Sequence, residues 1–314
     1  MPSRSVTILV PVFNEEEVIE LFLETLFTHL AEIEATEFEV LFVDDGSRDA
    51  SLSIIQNLAT RDSRISYLSL SRNFGKERAM IAGLDAVTTD AVIIMDVDLQ
   101  DPPGLISEMI QEWRNGADDV YAKRRTRHGE NWLKRTTAHA YYRILQRTTR
   151  IEVQQNTGDF RLLDRKCIDA LTLFRESERY TKGMFSWIGF TKKEILFDRD
   201  PRAAGRTKWN YGGLINLAID GITSFTTAPL RVSTVLGILV SLAAFIYLIV
   251  IVLRTLLWGS DLQGYPSMMV VILFLGGVQL LSVGVIGEYI GRIFNESKNR
   301  PLYLIGQQHR GAPH

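Results

Sequence analysis

Val92-Ile93-Ile94-Met95-Asp96-Val97-Asp98-Leu99-Gln100-Asp101-Pro102-Pro103 is an apolar run of strand length that ends in carboxylates and then in two prolines. Such a run reads as a strand buried in a parallel sheet. Alternation along the extended backbone puts Asp96 and Asp98 on one side of the chain. Two carboxylates that close repel each other unless a cation or strong donors offset them. A hard divalent ion meets that need, since Mg2+ is typically held by one or two carboxylates together with substrate phosphates. The plainer alternative is a helix N-cap with acids in its first turn, ahead of Pro102 and Pro103.

Working outward, three further apolar runs precede this one, at residues 6–12, 39–43 and 65–70, and helical patterns separate all four. Strands alternating with helices of this length imply βαβ units, hence an α/β fold with a mostly parallel sheet and helices on both faces. Ligands bind such sheets at the carboxyl ends of the strands. The polar motifs fall at those ends: Asn14-Glu15, Asp44-Asp45, Arg72-Asn73 and Asp96-Val97-Asp98. Four such placements favour an active site over capping alone. A dinucleotide fold or a Walker-type phosphate loop needs a glycine-rich turn after the first strand. Here that turn is Phe13-Asn14-Glu15-Glu16-Glu17, acidic and without glycine.

The formal net charge of −2 argues against a nucleic-acid partner. A single cysteine, Cys167, excludes an internal disulfide and a cysteine-based metal site, and five scattered histidines show no zinc-like spacing. The N-terminus opens into a strand pattern without a signal peptide, which places the N-terminal part in the cytoplasm. After residue 211 the composition changes. Residues 232–257 and 267–290 are apolar and long enough to cross roughly 30 Å of hydrocarbon. Between them residues 259–265 carry no Lys or Arg, whereas Lys208 and Arg231 flank one side and Arg292, Lys298 and Arg300 the other. The positive-inside rule makes this a two-span hairpin with both ends cytoplasmic. The expected organisation is a catalytic domain at 1–210, an interfacial amphipathic helix at 211–230 ended by Pro229, two spans within 231–291, and a cytoplasmic tail at 292–314. Gly276, Gly277, Gly284, Gly287 and Gly291 suit close helix packing, within the hairpin or between subunits of a homo-oligomer.

Val10-Pro11-Val12-Phe13-Asn14-Glu15-Glu16, Val43-Asp44-Asp45-Gly46-Ser47 and the Asp96–Pro103 stretch resemble, in order and spacing, the family 2 glycosyltransferases of GT-A fold. More closely, the chain resembles the polyprenyl-phosphate glycosyltransferases, the dolichol-phosphate mannose synthase group and its bacterial relatives. The likeness extends to Lys298-Asn299-Arg300-Pro301-Leu302-Tyr303. It implies a GT-A nucleotide-sugar domain on a membrane hairpin in the cell (inner) membrane. It also implies transfer of a sugar from a UDP- or GDP-linked donor to an undecaprenyl- or dolichyl-type phosphate on the cytoplasmic face. By the same resemblance Pro11, Asn14, Glu15 and Asp44 line the base and ribose pocket, with Asp45 beside them. Asp96 and Asp98 hold Mg2+ or Mn2+ against the diphosphate, with Gln100 near the sugar or metal. The ion serves as Lewis acid on the departing nucleoside diphosphate. Asp45, Gly46 and Ser47 also fit an ordinary turn and cap.

From Lys123 to Arg150 nine basic residues interleave with Trp132, Tyr141 and Tyr142, and only Glu130 opposes them. A basic, aromatic stretch reads as a binder of anionic head groups, with a solvated charged face as the plain alternative. Arg124 and Arg125 are candidates for the acceptor phosphate. Thr157-Gly158-Asp159-Phe160-Arg161 sets an acid and an arginine in a short extended piece. There the resemblance makes Asp159 the carboxylate at the sugar or acceptor, or else a turn aspartate, and Arg161 a further phosphate contact. Arg202-Ala203-Ala204-Gly205-Arg206-Thr207-Lys208 resembles the family's closing segment, with Arg206 and Lys208 supplying charge and Arg202 assisting, and it equally fits a juxtamembrane basic anchor.

A lipid monophosphate is already largely ionised near neutral pH, so it needs positioning and screening more than a general base. The expectation is a single in-line displacement with inversion. A family 2 enzyme acting on a polysaccharide or another lipid acceptor is the alternative, weakened by the lack of a Gln-x-x-Arg-Trp motif. A silent scaffold is disfavoured because both Asp96 and Asp98 are present.

Overall fold

β1 (Arg4–Val12) shows why the sheet forms where it does. Its side chains at Val6, Ile8 and Val10 face one apolar layer and Leu9 faces the other, so both faces are covered and the strand is apolar over most of Val6–Val12. The computed structural model describes residues 4–125, 157–177, 179, 181–197, 228–258 and 264–311. The chain divides into two units, Met1–Leu214 with Arg300–His314, and Ile215–Asn299.

In the first unit β1 is followed by α1 (Ile19–Leu30), β2 (Thr36–Asp44), α2 (Ser51–Arg61), β3 (Ile65–Leu70), α3 (Lys76–Ala86) and β4 (Ala91–Ile94). A 3-10 turn at Pro103–Leu105 leads into α4 (Ile106–Arg114) and β5 (Asp119–Arg124). β6 (Thr157–Asp164), α5 (Arg165–Thr172), α6 (Thr181–Trp187), β7 (Lys192–Phe197) and, after the second unit, β8 (Ile305–His309) complete it. The sheet order is β7-β5-β6-β4-β1-β2-β3-β8. β3, β2, β1 and β4 form the parallel centre that the βαβ pattern predicts, while β6 and β8 pair antiparallel with it. On one face Phe22 and Leu26 of α1 and Met109 and Trp113 of α4 cover the sheet. On the other, Met80, Ile81 and Leu84 of α3 and Ile168 of α5 do so. Each such side chain contributes about 1.5–3 kcal/mol through burial. α3 lies close to β1 because it carries Gly83, where a Cβ would run into the Leu9 side chain.

The C-terminal segment departs from the expected tail. Leu302 is buried, the Tyr303 hydroxyl donates to Asp85 at 2.7 Å, and β8 extends the sheet beside β3.

The second unit holds α7 (Ala228–Trp258) and α8 (Tyr265–Ser297), both longer than the expected spans. Pro229 lies in the first turn of α7, where its missing N–H costs no helical bond. Apolar side chains are exposed along both helices, among them Ile238, Leu242 and Phe245 on α7 and Phe274, Leu281 and Ile286 on α8. Among the described residues Phe274–Ser297 is long and apolar enough to cross a membrane, and Val232–Tyr247 is a shorter apolar run. The interfacial helix expected at 211–230 lies outside the described residues apart from its last three, which open α7.

Candidate active site

The strand ends of the parallel centre are tied to one another before they meet any ligand. The Asn14 amide donates to Ser47 Oγ at 3.0 Å, the Arg48 amide to Asn14 Oδ1 at 2.8 Å, and the Glu15 amide to Ser51 Oγ at 2.9 Å. Asn14 itself sits at φ 54, a left-handed conformation that asparagine tolerates. Asp44 is fully buried and accepts from the Ser47 amide at 3.0 Å and from Ser69 Oγ at 2.7 Å. Asp45 accepts from the amides of Phe74 and Gly75 at 2.7 and 2.8 Å, which fixes the turn from β3 into α3. Burial raises the Asp45 pKa, and those two amides work against the rise.

That turn delivers Lys76. Its Nζ lies 2.6 Å from Asp96 Oδ1 and 2.7 Å from Asp159 Oδ2, with 40% of the side chain exposed. The antiparallel register of β4 with β6 pairs Ile94 with Arg161, so two residues further on Asp159 falls opposite Asp96. Burial works against the Lys76 ammonium, but the charges of Asp96 and Asp159 prevail and hold its pKa above the usual lysine value. Leu99 adopts φ 57 in the tight turn where Asp98 Oδ1 accepts from the Gln100 amide at 3.2 Å. Such non-glycine conformations persist where the surroundings over-determine them. Asp101 is buried behind this turn, and burial and the Asp96 charge push its carboxyl up to about 7. Glu77 accepts from the Thr181 amide at 3.0 Å and is likewise pushed up to about 7, by burial and by Asp159.

A cavity of about 340 Å3 opens at this rim, lined among others by Pro11, Phe13, Glu15, Asp45, Asn73, Lys76, Asp96 and Asp98. Of the residues singled out from sequence, Pro11, Glu15, Asp45, Asp96 and Asp98 line it, and Asp159 joins through Lys76. Asn14 and Asp44 do not line it but tie together the loops at its rim, and Gln100, two residues from Asp98, is buried. Arg124 and Arg125 lie at the end of β5, where the Arg125 amide donates to the Phe197 carbonyl. Arg161 is directed elsewhere. Its guanidinium, 1% exposed, pairs with Asp119 at 3.1 Å and stacks over Phe185 at 3.6 Å, so its charge is spent inside the fold. Arg202, Arg206 and Lys208 lie outside the described residues, as does the basic stretch at 126–150. Asn73, in one of the strand-end motifs noted above, lines the cavity, and Lys76, three residues on in the same Arg72-Asn73-Phe74-Gly75-Lys76 stretch, is the site residue that the sequence does not single out.

No group of three or more His, Cys, Asp or Glu side chains positioned for a metal occurs among the described residues. The described residues therefore offer no closed protein cage. They offer two carboxylates one residue apart at an open pocket, the donor set of an ion shared with a phosphate ligand.

Residues 7–172 match glycosyl transferase family 2, and residues 228–293 match the GtrB C-terminal hairpin. The chain is 48% identical over 299 residues to an uncharacterized glycosyltransferase of Synechocystis sp., covering 95% of this chain and 94% of that one. It is 46% identical over 308 residues to the SfII prophage-derived bactoprenol glucosyl transferase of Shigella flexneri, covering 98% and 99%. It is also 46% identical over 300 residues to a prophage bactoprenol glucosyl transferase homolog of Escherichia coli, covering 96% and 98%. With its GT-A sheet and carboxylate-lined pocket followed by a GtrB hairpin, the chain belongs to glycosyl transferase family 2 and is a glycosyltransferase.

Proposed function

We propose that the protein transfers a sugar from a nucleotide-sugar to a polyprenyl phosphate at a membrane surface, with inversion at the anomeric carbon. The observation that carries this reading is the near full-length similarity to bactoprenol glucosyl transferases. The gathering of Asp96, Asp98 and Asp159 at one strand-end pocket agrees with it. Glu15 and Asp45 supply acceptors for ribose hydroxyls and base N–H groups, over a rim stiffened by Asn14 and Asp44. Asp96 and Asp98 would hold a divalent ion, Mg2+ or Mn2+, which when bound supplies Lewis-acid stabilisation of the leaving diphosphate. Asp159, on β6, pairs with the pocket-lining Lys76 and is our candidate for contact with the sugar hydroxyls. An oxygen of the acceptor phosphate attacks the anomeric carbon, the bond from that carbon to the donor diphosphate breaks, and the nucleoside diphosphate departs. No proton need be removed from an acceptor already ionised near neutral pH. Arg124, Arg125, Arg202, Arg206 and Lys208 are our candidates for screening the two phosphates.

The catalytic unit stands on the cytoplasmic side of the inner membrane, and the hairpin carries the chain through it and back. The test is transfer of radiolabel from a panel of UDP- and GDP-sugars into undecaprenyl phosphate by membranes containing the protein. Asp98→Ala serves as control and should lose at least about a hundredfold in rate, as expected when a group that stabilises developing charge is removed. Label entering lipid equally well with that variant would defeat the metal assignment. A product that retains the donor's anomeric configuration by NMR would defeat the single displacement.

A further inference from the structure

We propose that Lys76 is the resident cation of this site. It neutralises Asp96 and Asp159 while no donor is bound, so that a divalent ion enters together with the nucleoside diphosphate and not ahead of it. The inference rests on the reading of Asp96 and Asp98 as metal-binding carboxylates.

The geometry supports it at three levels. The Lys76 ammonium makes two charge-assisted contacts at once, 2.6 Å to Asp96 and 2.7 Å to Asp159. The lysine is also delivered by a held element. It is the first residue of α3, directly after Gly75, whose amide is bonded to Asp45, and α3 packs close to β1 at Gly83. Third, Asp96 and Asp159 come from β4's end and from β6, so one ammonium, itself lining the pocket, joins two strands.

A divalent ion arriving alone must displace that ammonium from Asp96 or bind beside it against its like charge. Either course weakens binding to two carboxylates that already supply few ligands. A nucleoside diphosphate changes the balance. Its oxygens complete the coordination that the protein leaves open, and its negative charge gives the displaced ammonium a new partner. Lysine suits this exchange because its three donors sit on a flexible stem, so one can stay on Asp159 while another turns to phosphate. Lys76 is thus a positioning residue whose partner changes with the state of the site.

The experiment measures Mn2+ uptake by the full-length protein in detergent, from the electron paramagnetic resonance signal of free Mn2+, with and without UDP or GDP. Nucleotide-only references are subtracted. The wild type should bind Mn2+ at least about tenfold more weakly without nucleotide than with the one it accepts. Lys76→Met should bind Mn2+ alone about tenfold more tightly than wild type and lose most of the nucleotide dependence. Lys76→Arg, which keeps the charge, should behave as wild type. If Lys76→Met does not fold, Lys76→Gln takes its place, and ordered entry is read from the wild type alone. Mn2+ bound equally well by wild type with and without nucleotide, or no more tightly by the neutral variants, overturns the proposal. Asp98→Asn separates this from failure of the underlying reading. If that variant keeps wild-type Mn2+ uptake with nucleotide, the metal assignment falls. If it loses uptake while Lys76→Met matches wild type, only the role of Lys76 falls.

Discussion

Lys76 and its neighbour Glu77 carry opposite charges into the same corner of the fold, and their fates differ. The ammonium finds two carboxylates, whereas the Glu77 carboxyl, in a buried place beside Asp159, is pushed up to about 7 from an ordinary 4.5. Between those values the native carboxyl keeps a proton that the unfolded chain has released. The native state then binds more protons, and stability falls as pH rises through the window. The contribution is whole below about 4.5 and gone above about 7. Glu77→Gln keeps a carbonyl for the Thr181 amide and cannot ionise. Its melting temperature should match wild type near pH 5 and exceed it near pH 8, by the equivalent of about 1–3 kcal/mol. Thermal melts in detergent across that range check this, and parallel curves for the two proteins would reject it. Asp101, raised for the same reason, is common to both and cancels in the difference.

Among the elements, the turns after β2 and β3 act as one piece, and Gly46 is where they touch. It sits at φ 69, and a Cβ there would lie 2.5 Å from the Arg72 carbonyl carbon and 2.8 Å from the Asn73 nitrogen. Backbone cannot yield as a side chain can. Gly46→Ala should therefore cost about 2–4 kcal/mol and raise the donor KM, because Asn73, Gly75 and Lys76 shift with the turn. An unchanged melting temperature and KM would show the turns to be independent. Much of this layer was legible in the sequence: β1 to β4 are buried on both faces, so their burial is written as apolar runs. The acids at their ends were legible too, though not which of Asp44 and Asp45 faces the pocket, since adjacent residues point opposite ways and both are polar. β8 was not legible. Its five residues are all exposed, and it is a strand because β3 offers an open edge of backbone donors and acceptors. The roles of Arg161 and Lys76 are hidden from the sequence for one shared reason. Their partners, Asp119 for the first and Asp96 with Asp159 for the second, come from other strands through pairing that no local pattern encodes.

For the whole molecule, β8 constrains how the hairpin can meet a membrane. Arg300–His314 belongs to the same unit as Met1–Leu214, and its strand is hydrogen-bonded to β3. A polar domain does not straddle a bilayer, because its irregular backbone would lose water without gaining partners. If the hairpin crosses a bilayer as proposed, a chain that leaves this unit and returns to it crosses an even number of times. Phe274–Ser297 meets the length and apolarity of a span on its own, and the proposed function leads us to expect a second crossing from α7. Val232–Tyr247 is shorter than a full span, but α7 as a whole has 31 residues, about 45 Å at the helical rise, and carries mostly apolar side chains. Residues 259–263 carry no Lys or Arg, and for the proposed two-span topology the positive-inside rule predicts them on the outer side. Cysteine labelling checks this, since the native Cys167 is buried and gives little background. With a membrane-impermeant maleimide on intact spheroplasts, Ser260→Cys should label directly, whereas Ser3→Cys should label only after permeabilisation. Labelling of Ser260→Cys only after permeabilisation would mean that neither helix crosses, and that the hairpin lies along the cytoplasmic surface.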